Sequence, residues 1–231
     1  MKRGKYEATY VRKRHGSKKA LAMLLSLVLV IGCVVGGTLA WLTAESGEVK
    51  NVFTTSDIIV ELKEHTYDPA TDALTSTETT TGVDNYKMIP GWTIPKDPWA
   101  KVSESSEDCY LFIEVEASAN FSTYMDYAID TQWTALDATN YPGVYYIEID
   151  QDSEKDVAYN ILGAGSATYD NVAYTWTDDQ VRVKPTVTKQ MMVEAGNNKP
   201  TLSFTAYAVQ LYKDNNTEFT PAEAWTLVSG S

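Results

Sequence analysis

Side chains able to do chemistry are few in this chain of 231 residues, and their spacing restricts what they can do. Its two histidines are His15 and His65, far apart in the chain. A zinc peptidase of the His-Glu-x-x-His type needs two histidines one helical turn apart with a glutamate base between them, and that set cannot be built here. A Cys109–His65 nucleophile pair is formally available. However, Cys109 heads an alternating strand pattern, where a thiol is a small, inert core residue. Neither a glycine-rich phosphate loop nor a Gly-x-Ser-x-Gly elbow is present. One acidic series remains. Asp150, Asp152, Glu154 and Asp156 alternate through a turn-like stretch, and clustered carboxylate oxygens are what calcium prefers. The series resembles the start of a calcium loop, but its sixth position is Lys155 and its twelfth is Ile161, where such a loop has Gly and Glu. A solvated hairpin tip is therefore the default reading, and calcium is the single candidate cofactor. The chain reads as a non-enzyme.

A second kind of chemistry is written at Gly36-Gly37-Thr38-Leu39-Ala40-Trp41-Leu42-Thr43. Thr38 and Ala40 are small residues at the −3 and −1 positions of a signal-peptidase site, with cleavage after Ala40. Trp41 and Leu42 would then open the new N-terminus, and two large apolar residues there need a groove or a membrane to bury in. The preceding elements fit this reading. Residues 1–19 are a basic n-region with eight Lys/Arg and one acid, Glu7, and residues 20–35 are its apolar core. Residues 20–44 carry no charge, and 25 residues suffice to cross a bilayer core of about 30 Å. An uncleaved anchor is thus the competing reading, and a lipid-modified Cys33 within Val30-Ile31-Gly32-Cys33 is a third.

Cleavage leaves 191 residues, enough for one domain, and shifts the formal net charge from −12 to about −19. Such a field repels nucleic acid and anionic lipid, so no nucleic-acid partner is expected. Cys109 becomes the sole cysteine, which excludes an intramolecular disulfide and leaves at most a crosslink between copies. Period-two patterns dominate the rest. Residues 57–64 place Ile58, Val60 and Leu62 on one face. Residues 109–116 place Cys109, Leu111, Ile113 and Val115 on one face, with Glu114 and Glu116 opposite. Residues 144–150 and 201–210 alternate similarly, and 99–102 and 172–176 are shorter strands. Thr220-Pro221-Ala222-Glu223 announces a short C-terminal helix, with Ala222, Trp225 and Val228 on one face, and residues 188–195 predict another, stopped by Gly196. The fold class is all-β: an antiparallel β-sandwich with a few short helices behind an N-terminal signal or transmembrane helix. Within it, residues 41–56 form a leader and residues 57–231 the sandwich. Residues 66–86, rich in Thr, Asp and Ser, form an exposed insertion loop. The prolines of residues 88–98 exclude a regular helix or a central strand.

The stretch Gly37-Thr38-Leu39-Ala40-Trp41-Leu42-Thr43 resembles the export signal of the TasA/camelysin family of Gram-positive bacteria, which a dedicated SipW-type signal peptidase processes. Residues 51–60 look like that family's first strand. Ile89-Pro90-Gly91, Lys96-Asp97-Pro98, residues 106–112, residues 206–210 and Ala222-Glu223-Ala224-Trp225 resemble a clostridial-type branch, so the likeness touches most of residues 32–228. Loop 66–86 has no counterpart, and Thr43-Ala44-Glu45 replaces the usual Ser/Thr-Asp pair. The resemblance implies a jelly-roll-like sandwich and a secreted structural role at the cell surface or in the biofilm matrix. Fibres would arise by donor-strand exchange, with Trp41, Leu42, Val49, Val52 and Phe53 as anchors in the next copy. Its implied partners are the signal peptidase, further copies and other matrix proteins, with membrane contact through residues 20–44 before cleavage. The alternatives are a membrane-tethered surface adhesin and the metalloendopeptidase activity attached to the camelysin name, which the residues above do not support. Intact-mass measurement of the exported protein should show loss of residues 1–40 and a chain starting at Trp41; retention of those residues would establish the anchored form.

Overall fold

The computed structural model describes residues 58–82, 86–196, 198–214 and 216–230. Two four-stranded antiparallel sheets supply most of the framework. The first has the order β2 (Ala73–Thr79), β1 (Val60–Asp68), β4 (Trp99–Val102), β9 (Tyr159–Asn160). The second has the order β13 (Leu202–Gln210), β5 (Cys109–Ala117), β8 (Tyr141–Ile149), β7 (Thr134–Asp137). A smaller sheet places β12 (Gln180–Val183) between β3 (Thr93–Pro95) and β6 (Met125–Asp126). Two hairpins, β10 (Gly165–Tyr169) with β11 (Val172–Trp176) and β14 (Tyr212–Asp214) with β15 (Thr217–Glu218), complete the strands. The helices are short: α1 (Phe121–Tyr124), α2 (Lys189–Ala195) and α3 (Pro221–Val228). All the strand pairs are antiparallel, so the all-β expectation holds.

Alternation along β1 sends Ile58, Val60 and Leu62 into the main core, where they meet Ala100 and Val102 of β4. From the second sheet come Cys109, Leu111, Ile113 and Val115 of β5, Phe204, Ala206 and Ala208 of β13, and Ile149 of β8. Side chains of both sheets thus share one apolar interior. Strand β5 is buried on its other face as well. Tyr110 and Phe112 join Val144, Val209, Leu211, Ala224 and Trp225 in a second cluster beneath α3. A two-faced strand reads as a nearly continuous apolar run, and Cys109-Tyr110-Leu111-Phe112-Ile113 is such a run.

The C-terminal helix starts as its sequence predicts. The Thr220 side chain accepts from the Glu223 backbone N–H, the Glu223 carboxylate accepts from the Thr220 N–H, and Pro221 occupies the first turn. Its buried face is centred on Ala224 and Trp225, while Ala222 and Val228 are half-buried. The Trp225 ring lies 5.4 Å from that of Phe112 and 5.1 Å from that of Tyr207, edge-on to the latter. Helix α2 likewise follows its Thr188 cap and stops at Gly196, whose φ of +52° suits glycine.

Residues 66–86 depart from the expected loop. The strand β1 continues to Asp68, turns through residues 69–72, and returns as β2, so the first part of the segment is a hairpin. The physical reason is threonine: β-branched and polar, it suits the exposed face of an edge strand as well as it suits a loop. The Asp68 carboxylate, which accepts from the Ala70 N–H and the Thr71 hydroxyl, closes the turn. The proline-rich stretch 88–98 yields the three-residue edge strand β3, consistent with the missing N–H of Pro95. Replacing Trp225 by Ala should lower the unfolding free energy by about 3–5 kcal/mol, and Thr220→Ala by about 1 kcal/mol, as measured by urea denaturation.

Candidate functional site

Of the residues singled out above, Thr38, Ala40, Trp41, Leu42, Val49, Val52 and Phe53 lie outside the described residues. The calcium candidates are described, and they do not converge. Asp152–Glu154 is a single 3-10 turn between β8 and β9. The Glu154 carboxylate accepts from the backbone N–H groups of Asp150 and Gln151, both at 3.1 Å. Asp152 pairs with Lys155 at 3.2 Å, and Asp156 with Lys101 at 2.8 Å. Among the described residues no group of three or more His, Cys, Asp or Glu side chains is placed to hold a metal ion. The Cys109 thiol is fully buried, and burial pushes it up to about 12, so it stays protonated.

A titratable cluster forms where the first sheet meets the small one. Residues 64 and 65 of β1 point to opposite sides, and residues 96 and 97 answer them. Glu64 and Lys96 form a buried ion pair at 2.5 Å, with the ammonium also near the rings of Tyr86 and Phe204. Asp97 accepts from the His65 backbone N–H at 3.0 Å, and its Oδ2 lies 2.6 Å from His65 Nδ1. The Lys96 N–H donates to the Asp179 carbonyl at 2.8 Å, which ties this corner to the start of β12. Burial pushes the Asp179 carboxyl up to about 6, helped by the negative charges of Asp97, Asp178 and Asp130. Asn160 donates to Asp179 Oδ2 at 3.2 Å, and the buried Oδ1 of Asp179 has no hydrogen-bond partner among the described residues. A carboxyl titrating there can exchange a proton near neutrality. Among the described residues no nucleophilic side chain bonds to His65, Asp97 or Asp179, so the cluster's evident role is to join the two sheets.

A concavity lies beside it. An open groove of about 950 Å³ is lined by Asp72 and Leu74 of the β1–β2 hairpin, by Trp92 and Thr93, and by residues 175–177, Gln180 and Arg182. Ile89-Pro90-Gly91-Trp92 is a turn in which the Trp92 N–H donates to the Ile89 carbonyl at 3.0 Å. Gly91 has a φ of +78°, the value that a type II turn requires after proline. The buried Arg182 side chain crosses behind the groove. It donates from Nη1 to the Thr175 carbonyl at 2.9 Å and from Nη2 to the Gly91 carbonyl at 2.6 Å, and its guanidinium stacks 4.7 Å from the Tyr174 ring. Trp176 lies flat against Gly165, its register partner. A Cβ at Gly165 would come within 2.2 Å of the indole, so glycine is required there.

No protein-family model, curated protein or solved structure matches the chain. The groove therefore has to be judged on its own geometry. Its residues carried signals that were not read in the sequence. Pro90-Gly91 is a turn dipeptide, and the residue that follows it is presented to solvent. Val181-Arg182-Val183 puts a cation between two core valines, and an arginine so placed must find acceptors within the protein.

The Asp179 shift carries a definite sign. A raised folded-state value means that the folded protein holds the proton more tightly than the unfolded chain. This contribution is complete below the ordinary value of 3.8 and is lost as pH rises through about 6. Asp179→Asn, which tolerates the φ of +59°, should therefore be more stable than the parent at pH 8 and converge with it at pH 4, as urea melts would show.

Proposed function

We propose that this chain is an exported structural protein of the cell surface or extracellular matrix, of the TasA/camelysin kind. Its sandwich would be jelly-roll-like, and its copies would join by strand donation. The observation that carries the reading is Gly37-Thr38-Leu39-Ala40-Trp41-Leu42, a cleavage site followed at once by two large apolar residues. After cleavage, residues 41–53 would lie along the β framework of the next copy. Main-chain hydrogen bonds would provide general affinity, and pockets for Trp41, Leu42, Val49, Val52 and Phe53 would set the register. Each large side chain buried in this way contributes roughly 1.5–3 kcal/mol before ordering costs.

Two features of the domain support this reading. Ile58 is already buried, so the chain enters the main core where the leader ends. Anything attached to that point starts at the margin of an apolar interior. The negative charge of the mature chain, about −19, keeps copies apart in solution, so that association depends on a specific joint rather than on general adhesion. Protein beginning at Trp41 should form filaments under negative-stain electron microscopy. A version beginning at Asp57, with the same circular dichroism spectrum, should remain monomeric. Equal behaviour of the two would exclude strand donation.

A further inference from the structure

The groove beside Trp92 has features that a purely structural domain does not require. Trp92 is 55% exposed, although the chain around it is held on both sides. Its backbone is fixed by the Pro90-Gly91 turn, and Arg182 ties Gly91 to Thr175 behind it. A large aromatic surface presented to solvent from a fixed backbone is a partly preorganised platform, because only the side-chain torsions remain to be ordered on binding. We infer that this groove binds a neutral glycan chain, one pyranose ring stacking its C–H face on Trp92.

The walls supply the rest of the chemistry. A sugar hydroxyl both donates and accepts, so it needs a mixed surface. Gln180 and Asp72 bring acceptor oxygens to the lining, and Thr93, Thr175 and Thr177 bring groups of both kinds. Trp176 and Arg182, both largely buried, complete the lining from behind. A few fixed polar groups around an apolar platform are the ordinary make-up of a small-molecule or oligosaccharide cleft.

Other occupants fit less well. An extended peptide adding to the sheet would need a free strand edge. Of the edge strands beside the groove, β3 is three residues long and ends in Pro95, which has no N–H to offer, and β2 reaches the groove only with its first residues, Ala73 and Leu74. A polyanion would meet the Asp72 carboxylate and a chain of net charge −12, and the Arg182 guanidinium already serves two carbonyls. A neutral chain avoids both difficulties. Glycan binding goes beyond the structural role and does not depend on filament formation.

Calorimetry and tryptophan fluorescence with the purified full chain test the assignment, using cellohexaose and chitohexaose as probes. One of the two should bind. Trp92→Ala should weaken that binding about tenfold or more at an unchanged melting temperature, and Trp92→Tyr, which keeps a ring, should restore part of it. Leu227→Ala, an exposed apolar residue on α3 outside the groove, should leave it unchanged. Any of four results would overturn the inference: no heat with either hexasaccharide at millimolar concentration, binding indifferent to Trp92→Ala, binding of polygalacturonate alone, or binding of a proline-rich peptide in place of the sugars.

Discussion

Burial of β5 on both faces is the constraint on which the other elements depend. One face closes the main core against the first sheet, and the other needs a cover. Phe112 is fully buried on that second face. Left open to water, Tyr110, Phe112, Val209 and Leu211 would form an apolar patch on an otherwise acidic surface. Helix α3 removes it, so a segment of eight residues at the end of the chain completes a strand formed near its middle. That explains why the helix start is so well specified by its capping box, since a frayed first turn would uncover Trp225 and then Phe112.

The corner around Lys96 handles a different problem, that of joining sheets that share no strand. Buried charges there are tolerated because each is answered. Glu64 neutralises Lys96, and two aromatic rings line the ammonium. The neighbouring Asp97 engages His65 through both backbone and ring. Burial, and after it the charges of Asp97, Asp178 and Asp130, makes Asp179 keep its proton to unusually high pH. The ion pair and the Asp97–His65 contacts thus add polar links to the apolar core that the small sheet already shares with the first through Ile94, Val181 and Val183.

How far the sequence could be read depended on whether local pattern and tertiary environment agreed. The strands β4, β5, β8, β11 and β13 were legible within a few residues from their β-branched and aromatic runs, as were the caps of α2 and α3. The hairpin at 66–79 was hidden because its outward face is threonine, which carries no apolar signal. The second face of β5 was hidden because Tyr110 and Phe112 acquire their meaning from a helix a hundred residues away. Arg182 was missed for a related reason: its two carbonyl acceptors belong to Gly91 and Thr175, and only the folded chain brings them together. The acidic series 150–156 was visible as charge, but the basic partners of Asp152 and Asp156 and the backbone amides held by Glu154 could not be foreseen from spacing alone.

The place of Cys109 in β5 has a consequence for the timing of folding. Once β5 lies between β13 and β8 and the first sheet covers its inner face, the thiol is sealed and protonated, and an oxidising medium does not reach it. Before then the same sulfur is a reactive group on an unpaired strand. A chain that emerges unfolded into an oxidising environment therefore faces two competing clocks, zipping of the central strand and covalent capture by another sulfur. The fraction of disulfide-linked dimer formed on refolding in an oxidising buffer would thus be a record of how quickly the core around Cys109 closes.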